Sequence, residues 1–191
     1  MHKGYKDTVS MVMFYSIIIR NKIFLLALPF MKKYNQLIIG CCLGIIISLG
    51  VGFLSSIVTR AAIPTWYAGL EKPFFSPPNW IFAPVWTLLY TLMGIGVGRV
   101  WFFGRRHLWG KTALYHFAAQ LMFNGLWSLV FFGLKSPLLG LFTILILWVL
   151  IQRTIFWFRL IDRKAAYLLY PYIAWVSFAS VLNGAILYLN N

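Results

Sequence analysis

From residue 37 onward, long apolar runs alternate with short polar and mostly basic interruptions. Five runs approach the roughly 20 apolar residues a helix needs to cross the hydrocarbon core of a bilayer. They lie near 37–58, 80–103, 112–133, 138–158 and 165–189. The pattern predicts an all-α membrane protein, a five-transmembrane-helix bundle over residues 31–191 with no separate soluble domain. Residues 1–30 read differently. Their two apolar stretches, 9–19 and 23–30, are split by Arg20, Asn21 and Lys22. Neither is long enough to span, and no A-x-A cleavage signal follows. We expect 1–30 to be an N-terminal extension outside the bundle, with Met31-Lys32-Lys33 the more natural start and a short interfacial helix the alternative reading.

Composition supports the membrane reading. Hydrophobic residues make up 61% of the 191 and charged residues 10%, against about half and a quarter in soluble domains; the mean hydropathy is +0.81. The net charge of +14 raises the question of nucleic acid, but the Lys and Arg residues gather between apolar runs and form no basic face. Charges so placed orient a membrane protein and meet anionic headgroups, so no nucleic-acid partner is expected; the lipid bilayer is. Lys32 and Lys33 precede the first run, Arg105, Arg106 and Lys111 separate the second and third, and Arg159, Arg163 and Lys164 separate the fourth and fifth. The opposite side carries only Arg60, Lys72 and Lys135. The positive-inside rule then puts the N-terminus in the cytoplasm, the C-terminus outside, and the long loop 59–79 outside. Arg99, near the end of the second run, is expected to snorkel toward headgroups.

Within this frame, three patterns stand out. In the first helix Gly40, Gly44, Ser48, Gly52 and Ser56 recur every four residues, and Gly94 and Gly98 repeat the spacing in the second. Such ridges let membrane helices approach closely; packing within the bundle and a homodimer seam both fit. The loop and following helix carry Trp66, Tyr67, Phe74, Phe75, Trp80, Trp86 and Tyr90, stiffened by Pro73, Pro77 and Pro78, which reads as a rigid lid over a pocket. Gln120, Asn124, Trp127 and Ser128 share one face of the third helix, and Tyr172, Trp175, Ala179 and Asn183 one face of the fifth, whose beginning Pro171 should kink. Amides inside a membrane need partners, from a neighbouring helix or from a ligand. Together these stripes suggest a cavity for a flat apolar ligand with a few polar groups.

Equipment for hydrolytic or phosphoryl-transfer chemistry is absent. The acids are Asp7, Glu71 and Asp162, none within a predicted span, and His2, His107 and His116 lack metal-ligand spacing. Cys41 and Cys42 are adjacent, about 100° apart on a helix, and form no CxxC pair. No phosphate loop or dinucleotide glycine motif occurs.

The loop from Trp66 to Pro73, Pro77-Pro78 with Trp80, and Pro84-Val85-Trp86-Thr87 with Tyr90 resemble the TspO/MBR family, the tryptophan-rich sensory proteins and translocator proteins. Gln120 to Asn124 with Trp127 and Phe131-Phe132-Gly133 match the family's third helix; Leu169-Tyr170-Pro171-Tyr172, Trp175, Phe178-Ala179 and Leu182-Asn183 match its fifth. The resemblance runs from about residue 37 to the end. It implies a five-helix bundle, often dimeric, that binds porphyrins such as protoporphyrin IX as ligand, with no separate cofactor. Carried over by residue, the pocket comprises Tyr67, Trp86, Asn124, Trp127, Trp175 and Ala179. In bacterial members, Trp residues matching Trp86 and Trp175 are linked to light-dependent porphyrin breakdown, which would make these two the catalytic residues. Animal members also bind cholesterol, but no Lys or Arg follows Tyr188 here, which argues against it. The resulting expectation is a porphyrin-binding sensor or regulator in the bacterial inner membrane. Light-dependent porphyrin degradation is the enzymatic alternative and tetrapyrrole or sterol transport the third; the lack of intramembrane acids lowers the last.

Overall fold

The computed structural model describes residues 34–191, so the extension 1–30 lies outside the described residues. The chain divides into units of residues 1–38 and 39–191; the helices that build the site belong to the second, and the first contributes the described opening turn of α1. Helices and turns account for all regular structure among the described residues. They are α1 (Tyr34–Ala62), α2 (Asn79–Phe103), α3 (Gly110–Ser128), α4 (Pro137–Ile161), the short α5 (Arg163–Tyr167) and α6 (Tyr170–Leu189).

Four stretches are long and apolar enough to cross a membrane: Tyr34–Ala62, Asn79–Arg106, Pro137–Ile161 and Arg163–Leu189. The helix of the third predicted span, α3, falls short of the others in hydropathy because Lys111, His116, Gln120 and Asn124 lie within it. It packs chiefly on α4, where Phe117 stacks on Phe158 at 6.0 Å.

The glycine ridge holds α1 against α2. A Cβ on Gly44 would strike the Gly94 carbonyl, one on Gly94 the Ile45 backbone, and one on Gly98 the Cys41 backbone. Bare backbones therefore meet at this crossing, the geometry small residues permit. Of the two roles the sequence left open for the ridge, packing within the chain is the one these glycines serve. Away from the ridge Leu43, Ile46, Ile47 and Leu54 are exposed, as lipid-facing side chains are.

Local chemistry sets the helix ends. Ser136 caps α4, its Oγ accepting from Leu139 N at 3.3 Å, with Pro137 at the first helical position, where a missing N–H is harmless. Lys135 adopts φ 53° to turn the chain before it. Asp162 closes α4 and caps α5, accepting from Lys164 N at 3.0 Å. The expected fifth helix is broken into α5 and α6 by a turn at 168–169. Pro171 thus stands in the first turn of α6 and starts a helix, where a kink in an unbroken one was expected. Arg99 also departs from expectation: its Nε donates to Asp162 Oδ2 at 2.6 Å, tying α2 to the α4–α5 corner.

Candidate functional site

The site lies where the long loop meets α2, α3 and α6. After α1 the chain turns through Ile63 and Thr65 into a 3-10 turn at Tyr67–Gly69. That turn drives Tyr67 inward to 3% exposure, against Phe132 at 5.6 Å and Phe131 at 6.4 Å between ring centres. Burial pushes the Tyr67 phenol pKa up. Lys72 covers the ring, its Nζ 4.9 Å from the centroid, and donates to the carbonyls of Ala68 and Leu70 at 3.3 and 3.0 Å. In the middle of the loop, Glu71 N donates to Asn190 Oδ1 at 3.0 Å and Asn190 Nδ2 to Glu71 O at 2.9 Å. The lid is thereby fastened to the end of α6.

Beneath it, α3 ends in a π-turn over Leu129–Gly133, closed by Leu134 N donating to Leu129 O at 2.9 Å. The wider turn places the consecutive rings of Phe131 and Phe132 both in the interior, 2% and 8% exposed, and π-turns of this kind concentrate at functional sites. Trp127 stacks on Phe131 at 5.4 Å, and its Nε1 donates to Asn183 Oδ1 at 3.3 Å. Asn183 in turn donates through Nδ2 to Pro137 O at 2.8 Å.

Two cavities flank this aromatic cluster. The larger, about 400 Å³, lies between α1 and α2 and reaches Tyr67, Trp86 and Trp127. The smaller, about 30 Å³, adjoins Trp175, Ala179 and Asn183. Tyr67, Phe82, Trp86, Trp127 and Phe132 line both and form the wall between them. Of the residues expected at the pocket, Tyr67, Trp86 and Trp127 border both spaces, while Trp175 and Ala179 border the smaller. Trp175 leans on Phe82 at 6.1 Å and on Phe178 at 5.5 Å. Asn124 borders neither. It is 1% exposed, accepting from Tyr90 OH and donating through Nδ2 to Tyr172 OH at 3.1 Å. Asn124 thus finds its partners in neighbouring helices; Gln120 Nε2 points to Met93 Sδ at 3.9 Å, while its buried Oε1 has no hydrogen-bond partner among the described residues.

Sequence reasoning did not name Phe82, Phe131, Phe132 or Arg60 as site residues. Phe82 sits four positions before Trp86 and so shares its helix face, a signal that was available. The π-turn that brings Phe131 and Phe132 inward together breaks the 3.6-residue period and had no counterpart in the pattern. Among the described residues no group of His, Cys, Asp and Glu could hold a metal ion.

The sequence profile of the TspO/MBR family matches residues 44–189. A tryptophan-rich protein TspO of Archaeoglobus fulgidus is 47% identical over 74% of this chain and 91% of its own length. Another, of Chlorobaculum tepidum, is 42% identical over 82% of this chain and 99% of its own. The translocator protein of Bos taurus is 39% identical over 71% and 80%.

Proposed function

The chain belongs to the TspO/MBR family and is an integral membrane protein; from that premise we propose that it binds a flat, largely apolar tetrapyrrole such as protoporphyrin IX in the aromatic pocket under the loop, and acts as a sensor or regulator. All five long helices span in this reading. The 19 residues of α3 and its five-residue π-turn reach roughly 36 Å at 1.5 Å per residue, enough to cross. The N-terminus is cytoplasmic and the membrane is the inner membrane of a bacterium. A homodimer would use a surface other than the glycines already filled by α2.

The observation that carries the binding reading is the shared aromatic wall. Tyr67, Phe82, Trp86, Trp127 and Phe132 separate two cavities and belong to three parts of the chain, the loop, α2 and the end of α3. Rings offer flat apolar area and favour offset or edge contacts with another π-system. Displacement of Phe82 and Trp86 by an entering ligand would join the two spaces into one slot bounded by Trp175 and Ala179. Titration of the purified protein with protoporphyrin IX, followed at the Soret band, should saturate near one ligand per chain. Absorbance changes that grow linearly without saturating would refute a defined site.

A second reading, light-dependent breakdown of the bound porphyrin by dioxygen, is favoured by one placement: Trp86 and Trp175 border the same small cavity, so both indoles meet a ligand that fills the joined slot. Replacing Trp175 by Phe keeps an aromatic body and removes the indole. Binding should weaken by about 1–2 kcal/mol, typical of losing part of an aromatic contact, while light-dependent loss of the Soret band should fall much further. Parallel losses in both would leave Trp175 a packing residue only.

A further inference from the structure

The larger cavity has two features that the aromatic pocket alone does not explain. The first is its mouth. α1 and α2 touch through bare backbone at Gly44 and Gly94, and at Gly52 the Tyr90 ring fills the gap. Beyond that point the helices leave the cavity open, with Phe53 on one rim and Ala83 and Thr87 on the other, all exposed. These residues lie inside two membrane-spanning stretches, so the mouth opens sideways onto lipid. At about 400 Å³ the space falls in the usual range for small-molecule sites, roughly 300–1,000 Å³.

The second feature is charge. Among the described residues lining the cavity, Arg60 alone is formally charged. It stands in the last turn of α1, and no described residue forms a hydrogen bond or ion pair with its guanidinium. The described side-chain carboxylates are Glu71, which does not line the cavity, and Asp162, which Arg99 occupies. A guanidinium fork matches a carboxylate with two parallel hydrogen bonds. Asn79 and Thr59 line the same cavity and add neutral polar groups.

We infer that this cavity is a bilayer-facing access chamber to the aromatic pocket, and that Arg60 is its specificity residue, selecting ligands that carry a carboxylate on the edge of a flat apolar body. The inference rests on the ligand class proposed above. The apolar body passes from hydrocarbon to Trp86 without crossing water. Arg60, long enough to keep its head at the interface, holds the acidic edge there. The acyl chain of a neighbouring lipid is the competing occupant, and it has no use for Arg60.

The test compares protoporphyrin IX with its dimethyl ester, whose acids are masked, in nanodiscs of zwitterionic lipid. Wild type, Arg60→Gln and Arg60→Lys are titrated at the Soret band, and the ratio of acid to ester affinity is the readout. In wild type the acid should be favoured over the ester about tenfold, the scale of a charge-assisted bidentate contact at a partly exposed site. Arg60→Gln should weaken the acid and leave the ester unchanged, bringing the ratio near one; Arg60→Lys should retain part of the preference. Ala83→Trp, which narrows the mouth, should slow association of both probes several-fold with a smaller effect on Kd. Saturable binding with an acid-to-ester ratio that Arg60→Gln does not change would overturn the role of Arg60 and leave the tetrapyrrole reading standing. Unaltered association rates in Ala83→Trp would overturn the lateral access. Absence of saturable binding in wild type would remove both readings together.

Discussion

Asn124 shows how an amide inside a membrane helix is used. Its oxygen takes the Tyr90 hydroxyl and its nitrogen reaches Tyr172, with all three residues buried. The sequence marked Asn124 as polar in an apolar run, and the period placed it on the Trp127 face. It could not say whether a ligand or two tyrosines would satisfy it, since those tyrosines lie 34 and 48 residues away. Replacing Asn124 by Ala leaves two buried hydroxyls without their partner. That should cost about 2 kcal/mol of stability, seen as a lower midpoint of thermal unfolding in detergent, and Tyr90→Phe combined with Tyr172→Phe should remove most of the extra cost. Tyr67 offers a titration. Its folded pKa lies above the ordinary value of 10.0 because it is buried, so the unfolded phenol gives up its proton first as pH rises. Stability contributed by this group is full below pH 10 and falls above it. The alkaline loss should shrink in Tyr67→Phe, measured as unfolding midpoint against pH.

At the scale of elements, the four-residue repeat in α1 was legible and its partner was not. Spacing alone allows either a helix of the same chain or one of another; the approach of Gly94 and Gly98 to the Ile45 and Cys41 backbones is what decides it. Glycines that look alike in sequence therefore differ in consequence. Gly94→Leu forces α1 and α2 apart and should destabilise by about 1–3 kcal/mol or more, the range for overpacking. Gly50→Leu adds a side chain where nothing lies within 4 Å and should change the unfolding midpoint little. A proline inside a continuous apolar run suggests a kink at Pro171; the turn after α5 makes it a helix start. The partner of Arg99 was hidden for a different reason. Asp162 is 63 residues away, on a corner whose position depends on α4. Arg99→Ala strands a partly buried carboxylate, and a loss of about 1–3 kcal/mol is expected, readable as increased proteolysis of the 162–169 corner.

For the whole molecule, hydrophobic runs and basic gaps disclosed the class of fold at once, because a bilayer leaves few ways to satisfy a backbone. Of the six residues expected to lie together, all but Asn124 border one cavity or both, but the shape of those spaces was not legible. Pattern cannot show that Trp127 and Trp86 border two spaces of unequal size, or that a π-turn brings Phe131 and Phe132 inward together. The proposed N-inside orientation has a direct test: a reporter active only in the cytoplasm, fused after Asn191, should be silent, and one placed near Arg105 should be active. The central claim is that a tetrapyrrole sits against the aromatic wall, and affinity at separated tryptophans tests it most directly. Trp86 and Trp127 line the cavities, whereas Trp157 lines neither and packs at a tilt against Trp109 and His116. Protoporphyrin Kd, measured by saturable quenching of protein fluorescence, should rise at least about tenfold in Trp86→Ala, the cost of a lost ring contact and its buried area, and stay near the wild-type value in Trp157→Ala. Equal affinity in wild type and Trp86→Ala, or an equal loss in Trp157→Ala, would contradict the account.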